Sequence, residues 1–433
     1  MRKIIIAILL QLPLLVMAEP YTLRQCIDSA LVNNISVQQQ RNQYDAYRLQ
    51  YKQQKYNLLP SVSGNIGQSF SFGRATGADN VTVSQNMANT SFGLSANLLI
   101  FDGLGMKYRI DEARQNMEAT EAETEKLEAD IRMNIATMFL QILLNKELLV
   151  VADTQLEATR LKLEQQEQMV NEGRLAEGEL YTMRAQYSKE EYSRIQAQNN
   201  VYLSLLDMAQ AMNVAYNDDF DIVTPPADEL EGGLLPANED VWRAALQNRP
   251  EIKAAEAQLK AQETALKGAK SAYSPTLSAS AGVGTGYYHR FGAENDAFGT
   301  QLGNNLSTNV GLNLTIPIFD RMQTPNTVKK QKINIENQKL QISQTKQTLR
   351  KEIDQAYYNA IAAQTQQLSA EKAAESAKEA YRYAEQKAEA GRASMYEYYD
   401  AKNTYFKAQS EYLQAKYNYL FKLRILNYYQ GMP

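Results

Sequence analysis

Residues that commonly carry enzyme chemistry are scarce in this chain. Its 433 residues include one histidine, His289, and one cysteine, Cys26. Together they cannot build a histidine–cysteine cluster for zinc or iron, and no other histidine could activate a serine or cysteine nucleophile. A single cysteine also cannot form an internal disulfide. Metal-dependent and triad-based catalysis are therefore disfavoured, an enzyme is not expected, and no cofactor is predicted.

Phosphate recognition is disfavoured as well. Residues 282–286 read Gly-Val-Gly-Thr-Gly, but a phosphate-binding loop follows a strand and opens a helix. This segment instead lies inside an alternating pattern typical of a strand. The chain has 45 Lys and Arg against 49 Asp and Glu, a formal net charge of −4. Without a basic surplus, generic nucleic-acid binding is not expected.

The N-terminus has the pattern of a secretory signal peptide. Arg2 and Lys3 precede an apolar stretch over 4–16, and a small-residue cleavage site ends at Ala18. The stretch is shorter than the ~20 residues that span a bilayer, so the alternative, an uncleaved anchor helix, is disfavoured. Cys26 lies well past the site, so no lipid anchor is expected. Residues 1–18 are predicted to be removed on export, and no later stretch approaches ~18 apolar residues.

The remainder of the chain contains an internal repeat. The first repeat is predicted to cover 19–217 and the second 241–433, with a linker over 218–240 that is rich in Pro and Gly. The spacing between matching segments of the two repeats changes once along the chain. Because a loop tolerates insertions better than a rigid segment, this change is predicted to lie in a loop. The matching segments are 30–34 with 245–249 and 59–63 with 274–278 at offset 215, then 100–102 with 318–320 and 173–174 with 391–392 at offset 218.

Each repeat has two segments in which apolar and polar residues alternate, as in a β-strand. The predicted strands cover about 60–72, 90–101, 275–288 and 307–319. A tilted strand of about 9–11 residues crosses a bilayer, so these lengths fit a membrane β-barrel; the face of a soluble sandwich is the alternative. Four strands cannot close a barrel, for which about eight is a practical minimum. Closure therefore requires several chains, for example twelve strands from three.

Long helices are predicted for most of the rest, over about 104–171, 178–212, 324–389 and 395–429. Apolar residues recur every seven positions from Ile135 to Val170, and tyrosines do so from Tyr398 to Tyr419, which indicates coiled-coil seams. A helix of about 68 residues measures roughly 100 Å. Heptads alone would fit a fibrous rod or adhesin stalk equally well. Combined with the strands and the signal peptide, they predict a membrane β-barrel joined to a long α-helical coiled-coil barrel.

These features together resemble the TolC family of outer-membrane efflux proteins. The resemblance covers nearly all of the mature chain and rests on 21–34, the two proline-led strands, the strand exit 318–320 and the segment 391–402. It implies a homotrimer with a 12-stranded barrel in the lipid of the outer membrane. A helical tunnel would cross the periplasm and dock onto an adaptor protein and an inner-membrane transporter, exporting small molecules or proteins. A secreted or surface-attached coiled-coil adhesin or structural rod is the alternative.

The two hairpin tips are predicted where a glycine interrupts a long helical pattern, at Gly173 and Gly391. An arginine follows each glycine, Arg174 and Arg392. In some family members a cation locks the second tip to an acid of the first, and the corresponding position here is Ala393. The same lock is therefore not expected. The two arginines are predicted to pair with neighbouring acids or to face the adaptor.

The resemblance also implies an acidic periplasmic gate. The two acids that ring the entrance in the family correspond here to Glu397 and Asp400, whose i, i+3 spacing puts them on one helical face. Glu179 stands at the acid position of the first tip. Threefold symmetry would bring the carboxylates of Glu397 and Asp400 from three chains around one constriction, which favours cations. An ordinary solvated helix face is the alternative for this pair.

Overall fold

The computed structural model describes residues 20–76, 82–84, 86–217, 219–226, 233–390, 392 and 394–431. The predicted signal peptide, Gly391 and Ala393 lie outside this part of the chain. Two compact units are present, and each draws residues from both repeats. The helical unit contains the described residues of Met1–Arg41, Thr124–Arg249 and Lys346–Pro433, and the sheet unit contains those of Asn42–Glu123 and Pro250–Thr345. The sequence repeat therefore does not correspond to two separate domains.

The sheet unit contains one antiparallel sheet of four strands. Its members, in the order in which they pair, are β1 (Ser61–Ser71), β4 (Met87–Phe101), β5 (Thr276–Arg290) and β6 (Ser307–Thr315). Between β1 and β4, two short strands pair with each other, β2 (Arg74–Thr76) and β3 (Thr82–Ser84). The last strand was expected to reach residue 319 but ends at Thr315. Pro317 follows, and proline has no N–H to donate to a ladder.

The strand register sorts the side chains of the sheet into an apolar face and a polar face. Up to a bulge between Leu99 and Phe101 of β4, neighbouring strands align apolar residues with apolar residues and small polar residues with each other, so the alternation extends across the sheet. One apolar row is Val62–Ala96–Ala281–Val310, and the adjacent polar row is Ser63–Ser95–Gly282–Asn309. Large side chains of the apolar face are exposed in the single chain, among them Ile66 (76%), Val310 (83%) and Leu312 (73%).

The glycine-rich segment 282–286 lies inside β5 and therefore does not form a phosphate-binding loop. Its first glycine has a packing role on the polar face. A Cβ atom added at Gly282 would lie 2.6 Å from Oδ1 of Asn309 on the neighbouring strand. A side chain larger than hydrogen would displace that amide from its present position, so Gly282 leaves room for the Asn309 side chain as it is placed.

The two strand hairpins are equivalent up to their connecting loops. The paired residues Ser69 and Asn89 of the first repeat correspond to Gly284 and Ser307 of the second, at offsets of 215 and 218. The change in spacing between the repeats therefore lies beyond these pairs, in the segment that joins the two strands. That segment contains β2 and β3 in the first repeat and a short helix, α7 (Phe298–Asn304), in the second.

The strand-to-helix turns are also equivalent. The aspartate of each Ile-Phe-Asp segment accepts a hydrogen bond from the backbone N–H four residues later, Asp102 from Met106 at 3.0 Å and Asp320 from Thr324 at 2.7 Å. Each carboxylate thereby satisfies a free N–H at the start of a long helix. The two residues after each aspartate have positive φ, with Gly103 at 67° and Arg321 at 55° as the first of each pair. This repeated motif is thus a helix cap on a tight turn.

Nine helices are described in the part of the chain given above. Gly105–Asn171 and Gln323–Glu389 each have 67 residues, which corresponds to about 100 Å. Each is followed by a second long helix that begins at a hairpin tip. The nine are α1 (Leu23–Asn33), α2 (Ile35–Tyr56), α3 (Gly105–Asn171), α4 (Glu177–Ala211), α5 (Asn238–Asn248), α6 (Pro250–Ser271), α7, α8 (Gln323–Glu389) and α9 (Met395–Gln430).

The core cluster of the helical unit is built from α1, α3, α4, α9 and the segment after α4 that contains Phe220 and Ile222. Cys26 is fully buried there, and burial raises the pKa of its thiol to about 12. By length and composition, α3 contains a segment that could cross a membrane. No apolar stretch of that length was expected after the signal peptide. The most apolar segment of α3 instead supplies core residues, including Ile135 and Phe139. In the single chain 28% of that segment is buried, so core packing accounts for part of its apolar residues.

Candidate functional site

The first hairpin tip ends α3 with a left-handed glycine. Gly173 has φ of 72°, and its N–H donates to the Val170 carbonyl at 2.9 Å. The next N–H, of Arg174, donates to the Met169 carbonyl at 2.8 Å. This pair of bonds is the Schellman arrangement, in which glycine is favoured because it has no Cβ. The guanidinium of Arg174 lies 3.2 Å from Glu172, so this arginine pairs with a neighbouring acid.

The second tip uses the same backbone bond and adds a side-chain cap. The N–H of Arg392 donates to the Lys387 carbonyl at 2.8 Å. Ser394 then begins α9 as its N-cap: its hydroxyl accepts from the N–H of Glu397, and the Glu397 carboxylate accepts from the N–H of Ser394, both at 3.2 Å. This capping box satisfies two N–H groups that would otherwise lack partners. The first tip has no such cap, since the N-cap of α4 is Ala176.

The structure places the three predicted gate acids in the opening turns of α4 and α9. Glu179 lies in the first turn of α4, and its side chain is exposed. Glu397 and Asp400 are exposed on α9, and the former also caps its helix. Among the described residues, neither Glu179 nor Asp400 forms an ion pair with Arg174 or Arg392. Their carboxylates are thus open to solvent at the tips, and the gate assignment remains a prediction.

A buried ion pair lies close behind the second tip. Lys402 of α9 and Glu190 of α4 have side chains that are 1% and 4% exposed, with the ammonium nitrogen 3.2 Å from the nearer carboxylate oxygen. Lys402 lies seven residues into α9, about 10 Å from its start. Asp400 lies two residues earlier, on the opposite side of the helix. The tip therefore combines an exposed acid with a buried cation.

Four more side chains complete this cluster, which we call the polar network. Lys402 also donates to the Gln155 carbonyl at 3.1 Å and to the hydroxyl of Thr159, and that hydroxyl donates to Glu190. Because its members come from α3, α4 and α9, the network links both helical hairpins within the helical unit. Its six members are Gln155, Thr159, Gln186, Glu190, Lys402 and Asn403.

Burial dominates the electrostatics of this region. It lowers the pKa of Lys402, and the neighbouring Glu190 opposes that shift. Burial also raises the pKa of Tyr399 to about 12, and the charges of Glu190 and Glu179 add to the effect. The Tyr399 hydroxyl also donates to the sulfur of Met183 at 3.2 Å, which places the start of α4 against α9. A buried ion pair is retained only when its remaining hydrogen-bonding groups are satisfied, and the polar network satisfies them.

Comparison with known proteins shows the family to which the chain belongs. The outer membrane efflux protein family matches residues 26–214 and 241–428, one segment in each repeat. No curated protein matches the chain. Among solved structures, the CmeC outer membrane channel of Campylobacter jejuni is similar, with 20% identity, a TM-score of 0.80 and coverage of 94% of this chain and 85% of CmeC.

Two further structures have the same fold. CusC, whose structures concern transmembrane channel formation, is 20% identical with a TM-score of 0.79, covering 95% of this chain and 92% of CusC. The open state of the MtrE outer membrane channel of Neisseria gonorrhoeae is 19% identical with a TM-score of 0.75, covering 95% of this chain and 89% of MtrE. These similarities confirm the resemblance to TolC and do not support an adhesin or structural rod. The chain belongs to the outer membrane efflux protein family, and its fold is that of outer membrane channels.

Proposed function

We propose that three copies of this chain form one closed barrel of twelve strands, continued by a helical tunnel, through which small molecules or proteins leave the periplasm without catalysis. The observation that carries this proposal is the open four-stranded sheet. β1 and β6 lie at its two edges, and each has one side without a partner in the described chain. Unpaired edges with exposed apolar side chains favour pairing with further strands.

The topology of the sheet fits closure by identical copies. Adjacent strands are antiparallel throughout, and their number is even, so β6 of one copy and β1 of the next also run antiparallel. Two copies would give a barrel of eight strands, and the interior of a barrel of that size is filled by side chains. Three copies give twelve and a wider interior. With the polar face inward, this lumen is lined by small residues such as Ser63, Ser95 and Gly282, while the apolar face meets lipid.

The helical unit supports the proposed partners. The resemblance to the TolC family implies an inner-membrane transporter and a periplasmic adaptor protein, which would meet the channel at the hairpin tips. The tips are polar and exposed: Arg174 is engaged with Glu172, and Arg392 is open to solvent. We assign Gly173, Arg174, Gly391 and Arg392 to this tip surface. The lock at position 393 is not part of the proposal, because an alanine stands there.

The number of chains in the extracted protein tests the proposal. We expect a mass of three chains after extraction of outer membranes with detergent, measured by light scattering with the detergent contribution subtracted. A twelve-stranded barrel requires that result, since each chain brings four strands to the sheet. A monomer, a dimer or recovery without detergent would contradict the closed barrel.

We further propose that Glu397, Asp400 and Glu179 form an acidic gate at the periplasmic entrance. Their exposure at the tips supports this assignment, and a ring of carboxylates at a constriction favours cations over anions. We expect the combined change of Glu397→Gln and Asp400→Asn to lower the cation-to-anion permeability ratio several-fold. Reversal potentials in a salt gradient across a planar bilayer measure this ratio.

The capping box dictates the choice of substitutions. Glutamine at 397 removes the charge but retains the cap, whereas Glu397→Ala removes both, so the conservative variant separates gating charge from helix stability. A matched control neutralises two exposed acids of α8 away from the tip, Glu371→Gln and Glu375→Gln. Unchanged selectivity in the tip variant, or an equal change in the control, would count against the gate.

A further inference from the structure

Exposed cations gather where the helices of the sheet unit meet the strands. α2 leads into β1 and α6 leads into β5, while β4 leads into α3 and β6 into α8. The antiparallel register places these four junctions at the same end of the sheet. Seven exposed lysines lie within about two turns of the helix ends there. This cationic collar consists of Lys52, Lys55, Lys107, Lys267, Lys270, Lys329 and Lys330.

The lysines that the collar takes from α2 and α6 follow the internal repeat. Lys52 and Lys55 of α2 correspond to Lys267 and Lys270 of α6 at the offset of 215 that relates these parts of the two repeats. In each pair the spacing of three puts both ammonium groups on one face of the helix. Both repeats therefore carry a doubly charged helix face at the same end of the sheet.

Helix polarity alone does not account for this arrangement. Lys55 and Lys270 lie in the last turns of their helices, where the macrodipole favours cations. α3 and α8, however, begin at this end of the sheet, and a helix N-terminus favours acids. Their first turns contain no acidic residue, and Lys107 and Lys329 follow instead. What the four helices share is that each joins a strand at the same end of the sheet.

The two aspartates that follow the strands are already engaged, whereas Asp111 and Glu112 of α3 are half-buried farther along that helix. Asp102 caps α3 and forms an ion pair with Arg109 at 2.7 Å, and Asp320 caps α8. No lysine of the collar forms an ion pair within the described part of the chain. Lys55 rests over the ring of Tyr51 at 4.2 Å, an interaction that leaves its positive charge uncompensated. The collar is thus a concentrated positive charge directly beyond the apolar face of the sheet.

We propose that the collar binds the phosphate groups of anionic phospholipids in the periplasmic leaflet of the outer membrane. The apolar face ends at this boundary, so headgroups lie at the level of the lysines, whose long stems let the ammonium groups reach them. Basic residues at such a boundary attract anionic lipid. The inference needs the sheet to lie in the outer membrane, but it depends on neither the trimer nor the acidic gate.

Retained lipid tests this proposal. The full-length protein, in detergent, is incubated with phosphatidylglycerol or with zwitterionic phosphatidylcholine, and native mass spectrometry counts the lipids that remain bound. We expect the wild type to retain phosphatidylglycerol preferentially. Changing Lys52, Lys55, Lys267 and Lys270 to glutamine should weaken that retention roughly tenfold or more, and added salt should weaken it in the wild type.

A control variant neutralises four exposed lysines of the helical unit, Lys189, Lys372, Lys378 and Lys387. It should retain phosphatidylglycerol as the wild type does. Equal retention in the collar variant, or equal loss in the control, would overturn the proposal. A changed ion selectivity of the collar variant with unchanged lipid retention would place these lysines in the tunnel instead, and would also overturn it. Neither result would alter the chain count, so this test is separate from that of the trimer.

Discussion

Changing Lys402 to methionine is expected to destabilise the helical unit by about 3–5 kcal/mol, because it leaves the buried carboxylate of Glu190 without its cation. Glu190→Gln leaves Lys402 buried without its carboxylate and should have an effect of the same order. The double variant should lose less than the sum of the two, with a coupling of about 0.5–3 kcal/mol. Loss of helical circular dichroism in urea, followed in detergent, measures all three variants.

An exposed ion pair provides the matched control. Arg184 and Glu167 also join α4 to α3, at 2.9 Å, but their side chains are 52% and 41% exposed. Solvent screens such a pair, so Glu167→Gln should cost less than about 1 kcal/mol. If the Lys402 and Glu167 variants unfold at the same urea concentration, the polar network does not hold the hairpins together. If the two single changes at Lys402 and Glu190 are simply additive, the two residues are not coupled.

The polar network was not predictable from the sequence because its members are brought together only by the tertiary fold. Lys402 lies 243 residues from Thr159 and 212 from Glu190. A heptad pattern identifies which face of a helix is apolar, but it does not show which polar residues meet in the core. In α9 the expected tyrosine seam is correct for Tyr398 and Tyr419, which are buried. The core also takes Lys402, Phe406, Leu413 and Tyr417 from that helix, because α9 packs on several neighbours.

Local signals were more informative. Alternation places the strand faces correctly, because a side chain's face depends on its position in the strand, except at the end of β4, where a bulge shifts the register between Leu99 and Phe101. The Ser-x-x-Glu pattern of 394–397 is a readable capping box, and it gives Glu397 a structural role that the gate interpretation alone omits. The repeated Ile-Phe-Asp segment was visible as a match between repeats. Its role as a helix cap required the hydrogen bonds of Asp102 and Asp320.

Changing Leu94 to arginine should prevent stable insertion of the sheet into the membrane. Leu94 is the central residue of β4, 56% exposed on the apolar face between Gly64 and Val283. An arginine facing lipid at the bilayer midplane costs about 2–4 kcal/mol, and three copies in one barrel would each incur that cost. We expect a much lower yield of folded protein in outer membranes, and unfolding at lower urea concentration in lipid vesicles.

The adjacent residue is the control that isolates the direction of the side chain. Ser95 lies in the same strand, at nearly the same depth and between the same two neighbouring strands, but it belongs to the polar row with Ser63 and Gly282. In the proposed barrel Ser95→Arg extends into a water-filled lumen, where the charge remains hydrated, so its yield and urea midpoint should stay near those of the wild type. Equal losses at 94 and 95 would mean that the two faces do not separate lipid from water, and the barrel would have to be abandoned. A severe loss at 94 alone would establish, from two neighbouring residues, which face of the sheet meets the membrane.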